Sequence, residues 1–174
     1  MRIISGIYKS RKLFSPPQNN LTRPTTDRAK ETLFNTLGNY FSFENIVCVD
    51  LFCGTGNLGL ESISRGASLC YFVDKYIKSV ERNVRELKVE DKCEIFRGDV
   101  FTFLKSGAPE KIDICFADPP YNFKYYEKLI KEVSKMKTVF VLEHSSAKKI
   151  EFPEITPFLT KKIGITTFSF FDAD

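Results

Sequence analysis

Residues 46–61 read IVCVDLFCGTGNLGLE. The first six residues form an apolar, β-branched run of strand length, and the glycines that follow forbid its continuation. A helix then runs to about Gly66. A strand feeding a helix through a glycine-rich turn is the opening of a βαβ unit, so this stretch selects a doubly wound α/β sheet. Gly54, Gly56 and Gly59 spell G-x-G-x-x-G, and Asp74 closes the next apolar run, Leu69–Val73. Glycine lets a backbone approach a ligand at a helix start, and a carboxylate ending the second strand can accept from both hydroxyls of a ribose. The glycine spacing alone also fits a dinucleotide oxidoreductase. Asp50 argues against one, since an acid ahead of the glycines repels a pyrophosphate. The same acid suits the ammonium of an amino-acid moiety, which points to S-adenosylmethionine.

The alternation continues on both sides. Downstream, the pattern predicts a helix over Lys75–Leu87, a strand at Cys93–Phe96 and a short helix at Val100–Leu104. A strand at Ile112–Ala117, a helix over Tyr125–Met136 and a strand at Thr138–Glu143 follow. Phe158–Ile163 and Ile165–Phe171 meet at Gly164, which reads as an antiparallel hairpin. Upstream, residues 2–14 alternate weakly and suggest a short β-hairpin, and Thr25, Thr26 or Asp27 can cap a helix ending near Gly38. The expectation is one domain over 1–174, with a basic N-terminal arm at 1–24.

The fourth strand runs straight into Asp118-Pro119-Pro120-Tyr121. Each proline fixes φ near −65° and removes a donor, and the residue before each is held extended. The expected product is a rigid corner whose carbonyls no neighbouring turn can claim. Asp118 and the Pro119 carbonyl are two acceptors beside the flat ring of Tyr121, a receptor for an exocyclic amine on a planar base. Asp99 ends the third strand, where it can meet an adenine edge together with the Val100 N–H, or cap the short helix.

Composition excludes several classes. With 43% hydrophobic and 28% charged residues, the 174-residue chain is neither disordered nor fibrous. No apolar run reaches the ~18 residues of a membrane span, and no signal-like segment opens the chain, so a cytoplasmic protein is expected. Five cysteines with no Cys-x-x-Cys pair, and a single histidine, give no basis for a metal site. Residues 1–30 hold Arg2, Lys9, Arg11, Lys12, Arg23, Arg28 and Lys30 against Asp27 alone, so this segment carries +6 of a net +4. A polyanionic partner at one end, or a solvated basic tail, would explain it.

DLFCGTG with Asp74 resembles the cofactor motifs of class I methyltransferases, and DPPY resembles the D/N-P-P-Y/F/W motif of enzymes that methylate base amines. RIISGIYKSRKL…TRPTTDRAKETLFNTL is similar to the N-terminal signature of the bacterial 16S rRNA guanine-N2 methyltransferases of RsmD type. The resemblance spans nearly the whole chain. It implies a Rossmann-like, seven-stranded, mostly parallel sheet with the C-terminal antiparallel hairpin and the N-terminal hairpin and helix as an extension. It further implies methyl transfer from S-adenosyl-L-methionine to a guanine N2 in small-subunit rRNA or its assembly intermediate, by a monomer. Asp50, Gly54, Gly56, Asp74 and Asp99 would hold the cofactor, with Phe52, Lys75 and Val100 beside them. Asn57 departs from the small residue usual in that loop and can add a polar contact there. Asp118, Pro119, Pro120 and Tyr121 would hold the base. Arg2, Lys9, Arg11, Lys12, Arg23 and Arg28 would meet phosphates, while Tyr8 could stack on a base or pack the hairpin. An adenine-N6 methyltransferase is the alternative, since DPPY serves that chemistry too.

Overall fold

In a computed structural model of the chain, the residues described are 1–16, 26–148, 150 and 155–172. The order of elements is α1 (Asp27–Gly38), β1 (Val47–Leu51), α2 (Asn57–Ser64), β2 (Leu69–Asp74), α3 (Lys78–Leu87), a 3-10 turn (Glu90–Lys92) and β3 (Cys93–Arg97). It continues α4 (Val100–Ser106), β4 (Ile114–Ala117), α5 (Tyr126–Ser134), β5 (Val139–Ser145), β6 (Leu159–Ile163) and β7 (Thr166–Phe171). Seven strands form one sheet in the order β3-β2-β1-β4-β5-β7-β6. The first five are parallel, and β7 pairs antiparallel with both β5 and β6. This is the Rossmann-like sheet with a terminal hairpin that the strand–helix order implies.

Strand periodicity divides the interior into two layers. Cys48, Cys70, Phe72, Ile114, Phe116, Phe168 and Phe170 face α1, α2 and α3 through Leu33, Phe34, Leu60, Val80 and Val84. Val49, Leu51, Val73, Cys115, Ala117 and Leu142 face α4 and α5 through Phe103, Tyr126, Leu129 and Val133. Burial on both faces explains why these strands read as unbroken apolar runs rather than alternating ones.

The N-terminal segment differs from expectation. Its ends pair antiparallel, with Arg2 bridged to Lys12 and backbone bonds from Ile3 N–H to Arg11 and from Leu13 N–H to Met1, but no regular strands form around the turn. Several of its other donors go to α2. The N–H groups of Ile4 and Ser5 donate to Glu61 (2.7 and 3.0 Å), that of Tyr8 donates to Ser64 Oγ, and Gly6 lies so close that any Cβ would overlap the Ser64 carbonyl. Ile3 and Leu13 are buried in the core, and Tyr8 packs against it. Residues 1–16 are thus part of the domain, and a solvated tail is excluded for them.

Lys30 anchors this segment from below. Its side chain is 1% exposed and donates to the Arg2 carbonyl (2.7 Å) and Asn57 Oδ1 (2.8 Å), with Glu61 Oε2 at 3.1 Å. Glu61 also receives Arg65 at 2.9 Å. Burial drives the Lys30 ammonium below its ordinary pKa, and the Glu61 carboxylate opposes that fall. Lys30 therefore adds nothing to the basic surface that the sequence count suggested.

Candidate active site

The strand order reverses between β1 and β4, and ligands of open α/β sheets bind outside the carboxyl ends of strands at such a switch point. Leu51 of β1 pairs with Ala117 of β4, and the Asp118 N–H reaches the Leu51 carbonyl at 3.4 Å. The glycine-rich loop and the Pro-Pro corner thereby leave neighbouring strands side by side.

The three glycines of the loop serve different ends. A Cβ at Gly59 would enter the Phe72 ring, and one at Gly56 would sit 2.8 Å from Val80 Cγ2. Both permit α2 to press on β2 and α3. Gly54, at φ +54°, has open space where its Cβ would point, with nothing nearer than the Phe52 carbonyl at 4.0 Å. Its N–H donates to Asp74 Oδ2 (2.9 Å), and the other Asp74 oxygen accepts from Tyr76 N–H. Of the three, Gly54 is the one that leaves room for a ligand.

Asp50 lies deeper than the sequence suggested. It is 2% exposed, on the α2 face, and Oδ2 accepts the Gly59 N–H at 2.9 Å. Gly56 is the N-cap of α2 and has no side chain to offer, so Asp50 caps the helix from the adjacent strand. Burial pushes its carboxyl up to about 8 against the Gly59 hydrogen bond, and the nearby Asp118 and Asp74 add to the rise. Asn57 is 8% exposed, and its side-chain oxygen accepts from Lys30, so it braces α2. Asp99 caps α4 by accepting from Phe101 N–H (2.9 Å) and also meets Lys75 at 3.3 Å on the surface, while Val100 is buried. Both readings of Asp99 are thus compatible, with the cap in place.

Opposite lies a cavity of about 350 Å³ lined by Arg28, Asp118, Pro119, Pro120, Tyr121, Tyr126, Glu143, His144 and Lys148, among others. Asp118 is an exposed residue at the cavity, with protein packed around its carboxyl. That enclosure raises its carboxyl to about 7. The Tyr126 phenol is raised by burial and then by the Asp118 charge. Tyr121 presents a half-exposed ring, at 55%. One expectation fails here: the Pro120 carbonyl is claimed by a turn, accepting the Phe123 N–H at 2.8 Å. The Pro119 carbonyl accepts no backbone N–H among the described residues.

Several residues of this cavity escaped the sequence reading. Phe123 joins the two halves, with its ring centroid 5.1 Å from that of Phe52, 6.4 Å from Phe101 and 5.1 Å from Tyr126. Lys148 donates to the Phe123 carbonyl at 2.7 Å. Glu143 and His144 come from the end of β5, and His144 spends its ring nitrogens on the Ser145 carbonyl and Ser169 Oγ. None lies in a recognisable motif; Phe123 follows the Pro-Pro corner in sequence, and β4–β5 pairing brings Glu143 and His144 to the same end of the sheet.

The basic residues disperse. Arg28 lines the cavity, whereas Arg2 pairs with Asp27 (2.8 Å) and Arg11 donates to the Glu86 carbonyl (2.9 Å). Lys9 and Lys12 are exposed, and Arg23 lies outside the described residues. Among the described residues no cluster could hold a metal ion and no helix is long and apolar enough to cross a membrane.

The chain matches the family model described as "Conserved hypothetical protein 95" over residues 1–172. It is 34% identical over 169 residues to the ribosomal RNA small subunit methyltransferase D of Buchnera aphidicola, covering 92% of this chain and 86% of the relative. Against the protein of that name from Escherichia coli it is 37% identical over 134 residues, covering 75% and 65% respectively. The solved structure of yhhF from Escherichia coli, described as a methyltransferase, superposes with a TM-score of 0.81 at 26% identity, covering 100% of this chain and 99% of that one. An RNA methyltransferase from Salinibacter ruber, solved with S-adenosyl-L-homocysteine, shares the fold at a TM-score of 0.66 and 13% identity, over 87% and 94% of the chains. The chain belongs to the Conserved hypothetical protein 95 family, the S-adenosylmethionine-dependent rRNA methyltransferases of RsmD type.

Proposed function

We propose that the protein methylates the exocyclic N2 amine of a guanine in small-subunit rRNA, acting in the cytoplasm as a monomer on an assembly intermediate. The observation that carries this reading is the pairing of β1 with β4. It supports the reading because the strands that lead into the Gly54 loop and the Asp118 corner end side by side, in a chain 34–37% identical to enzymes named as methyltransferases of small-subunit ribosomal RNA.

The residues present fit S-adenosylmethionine. Gly54 leaves a cradle that a side chain would fill, and Asp74 lies at the loop with hydroxyl-accepting oxygens. Gly54, Gly56, Phe52, Asp74, Lys75, Asp99 and Val100 would hold it, with Asp50 acting from beneath as the cap of α2. When bound, that group supplies an electrophilic methyl on a sulfonium.

The chain's own residues do the rest. A base amine is a weak nucleophile because its lone pair is delocalised into the ring. Asp118 and the Pro119 carbonyl accept its two N–H groups, which favours a tetrahedral nitrogen and localises the pair. Most of the acceleration comes from positioning, where effective molarities reach ~10⁵ M or more. Stacking on Tyr121 contributes roughly 1–3 kcal/mol toward holding the flipped base. Asp118 accepts the released proton, a task that its raised pKa suits. Arg2, Tyr8, Lys9, Arg11, Lys12, Arg23 and Arg28 form the rRNA-facing set, with Arg28 nearest the base.

The test is transfer of labelled methyl groups to small ribosomal subunits from cells lacking the enzyme, with the modified nucleotide mapped. N2-methylguanine at one site is expected; N6-methyladenine would establish the alternative chemistry. An Asp118→Ala variant with near-normal transfer would remove the amine-receptor role.

A further inference from the structure

Lys148 lies just beyond β5, 25 residues from Phe123 in sequence, and no part of the proposed reaction uses it. Its ammonium donates to the Phe123 carbonyl at 2.7 Å and lies 3.4 Å from the Tyr121 carbonyl. The same group sits 4.6 Å from the centroid of the Tyr126 ring. All three partners line or border the cavity that holds Asp118. The segment they belong to is poorly held by its own backbone. Two prolines donate nothing, and one turn bond, Phe123 N–H to Pro120, spans it before α5 begins at Tyr126. Tyr121 cannot be fixed by burial, since its ring is half exposed.

We propose that Lys148 is a positioning residue for methyl transfer: it latches the carbonyls of residues 121 and 123 and thereby holds the Tyr121 ring parallel to the incoming base. The inference rests on the base occupying the Asp118 corner. The latch crosses from the end of β5 to the loop after β4, so it closes the cavity wall with one cation in place of a backbone ladder. A charged donor shared by two carbonyls and an aromatic face is stronger than a neutral bond, and it is retained when the loop is wet.

The experiment compares Lys148→Met and Lys148→Arg with the wild-type chain by amide hydrogen exchange and by methyl transfer to small subunits. Lys148→Met keeps the aliphatic stem and removes the donors. The expected result is faster exchange at residues 121–125, and a kcat reduced roughly tenfold to hundredfold, the scale of a small misplacement near reacting atoms. Affinity for S-adenosylhomocysteine and thermal midpoint should hold at wild-type values, and Lys148→Arg should restore most of kcat. Unchanged exchange at 121–125 overturns the latch. Faster exchange with unchanged kcat overturns its role in positioning, as does a parallel loss of cofactor affinity and stability. A wild-type protein that methylates no guanine counts against the proposed function instead, and the exchange data still decide the latch.

Discussion

Asp118 and Gly54 show how much a single position can carry. The Asp118 carboxyl, raised to about 7, is protonated below that pH and then accepts more weakly from an amine and cannot take up the released proton. Transfer by the wild-type enzyme should therefore rise as pH increases through about 7 and level off above it. Asp118→Asn keeps one oxygen acceptor but has no proton to lose. Its pH profile should be flat at a lower rate, as read by initial velocities on either side of neutrality. Gly54 and Gly59 look alike in sequence and should behave in opposite ways. Gly59→Ala drives a methyl into Phe72 and should lower the thermal midpoint, with overpacking costing ~1–3 kcal/mol. Gly54→Ala should cost about 1 kcal/mol through its positive φ yet weaken S-adenosylhomocysteine binding measurably by titration calorimetry. The G-x-G-x-x-G spacing announced the loop but not this division of labour, which depends on where the Phe72 ring lands. Phe123 and Lys148 were illegible for a related reason: each acts through partners that strand pairing, not local pattern, brings near.

At the scale of elements, the apolar runs placed the central strands, because strands buried on both faces leave no polar interruptions, while the edge strand β6 was legible through the tight turn at Gly164. Boundaries moved by a few residues, as at α3, which begins at Lys78 rather than Lys75. The N-terminal hairpin pairs antiparallel through Arg2 and Lys12 but is less regular than expected. Weak alternation suggested a strand pair, but the donors of residues 4, 5 and 8 went to Glu61 and Ser64 of α2. A buried charge at 61 is what the sequence concealed, since Lys30 and Glu61 each read as ordinary surface residues of amphipathic helices. Breaking that pair should be severe: Glu61→Gln leaves Lys30 buried without its counter-charge, at a cost of ~3–5 kcal/mol in urea denaturation. The double variant Lys30→Met/Glu61→Met should recover only part of that loss, because it removes both charges yet leaves Arg65 and the Ile4 and Ser5 N–H groups without their acceptor.

For the molecule as a whole, charge and topology act together. Net charge is +4, concentrated in the first thirty residues, and part of that excess is internal to the fold at Lys30. Of the described basic residues proposed to face rRNA, Lys9 and Lys12 project into solvent and Arg28 stands at the cleft. Charge reversal at Lys9 and Lys12 should reduce the slope of log K against log salt for rRNA binding. The reduction should be about 0.7–0.9 for each phosphate that these side chains neutralise, with the modified nucleotide unchanged. An unchanged slope would remove these residues from the interface. The edge strand β6 carries Lys161 and Lys162 in its exposed middle, which discourages a second sheet from pairing there.

The docking of residues 1–14 onto α2 and α3 also sets a timetable for the nascent chain. Gly6 has no seat until Ser64 exists, and Phe14 waits for Asn83, whose amide group bonds its backbone on both sides. At ~5–20 residues per second, translation leaves the first segment without its partners for roughly 4–15 s after it emerges. Residues 1–14 thus find their seat only after α2 and α3 exist, so their packing follows that of the two helices beneath them.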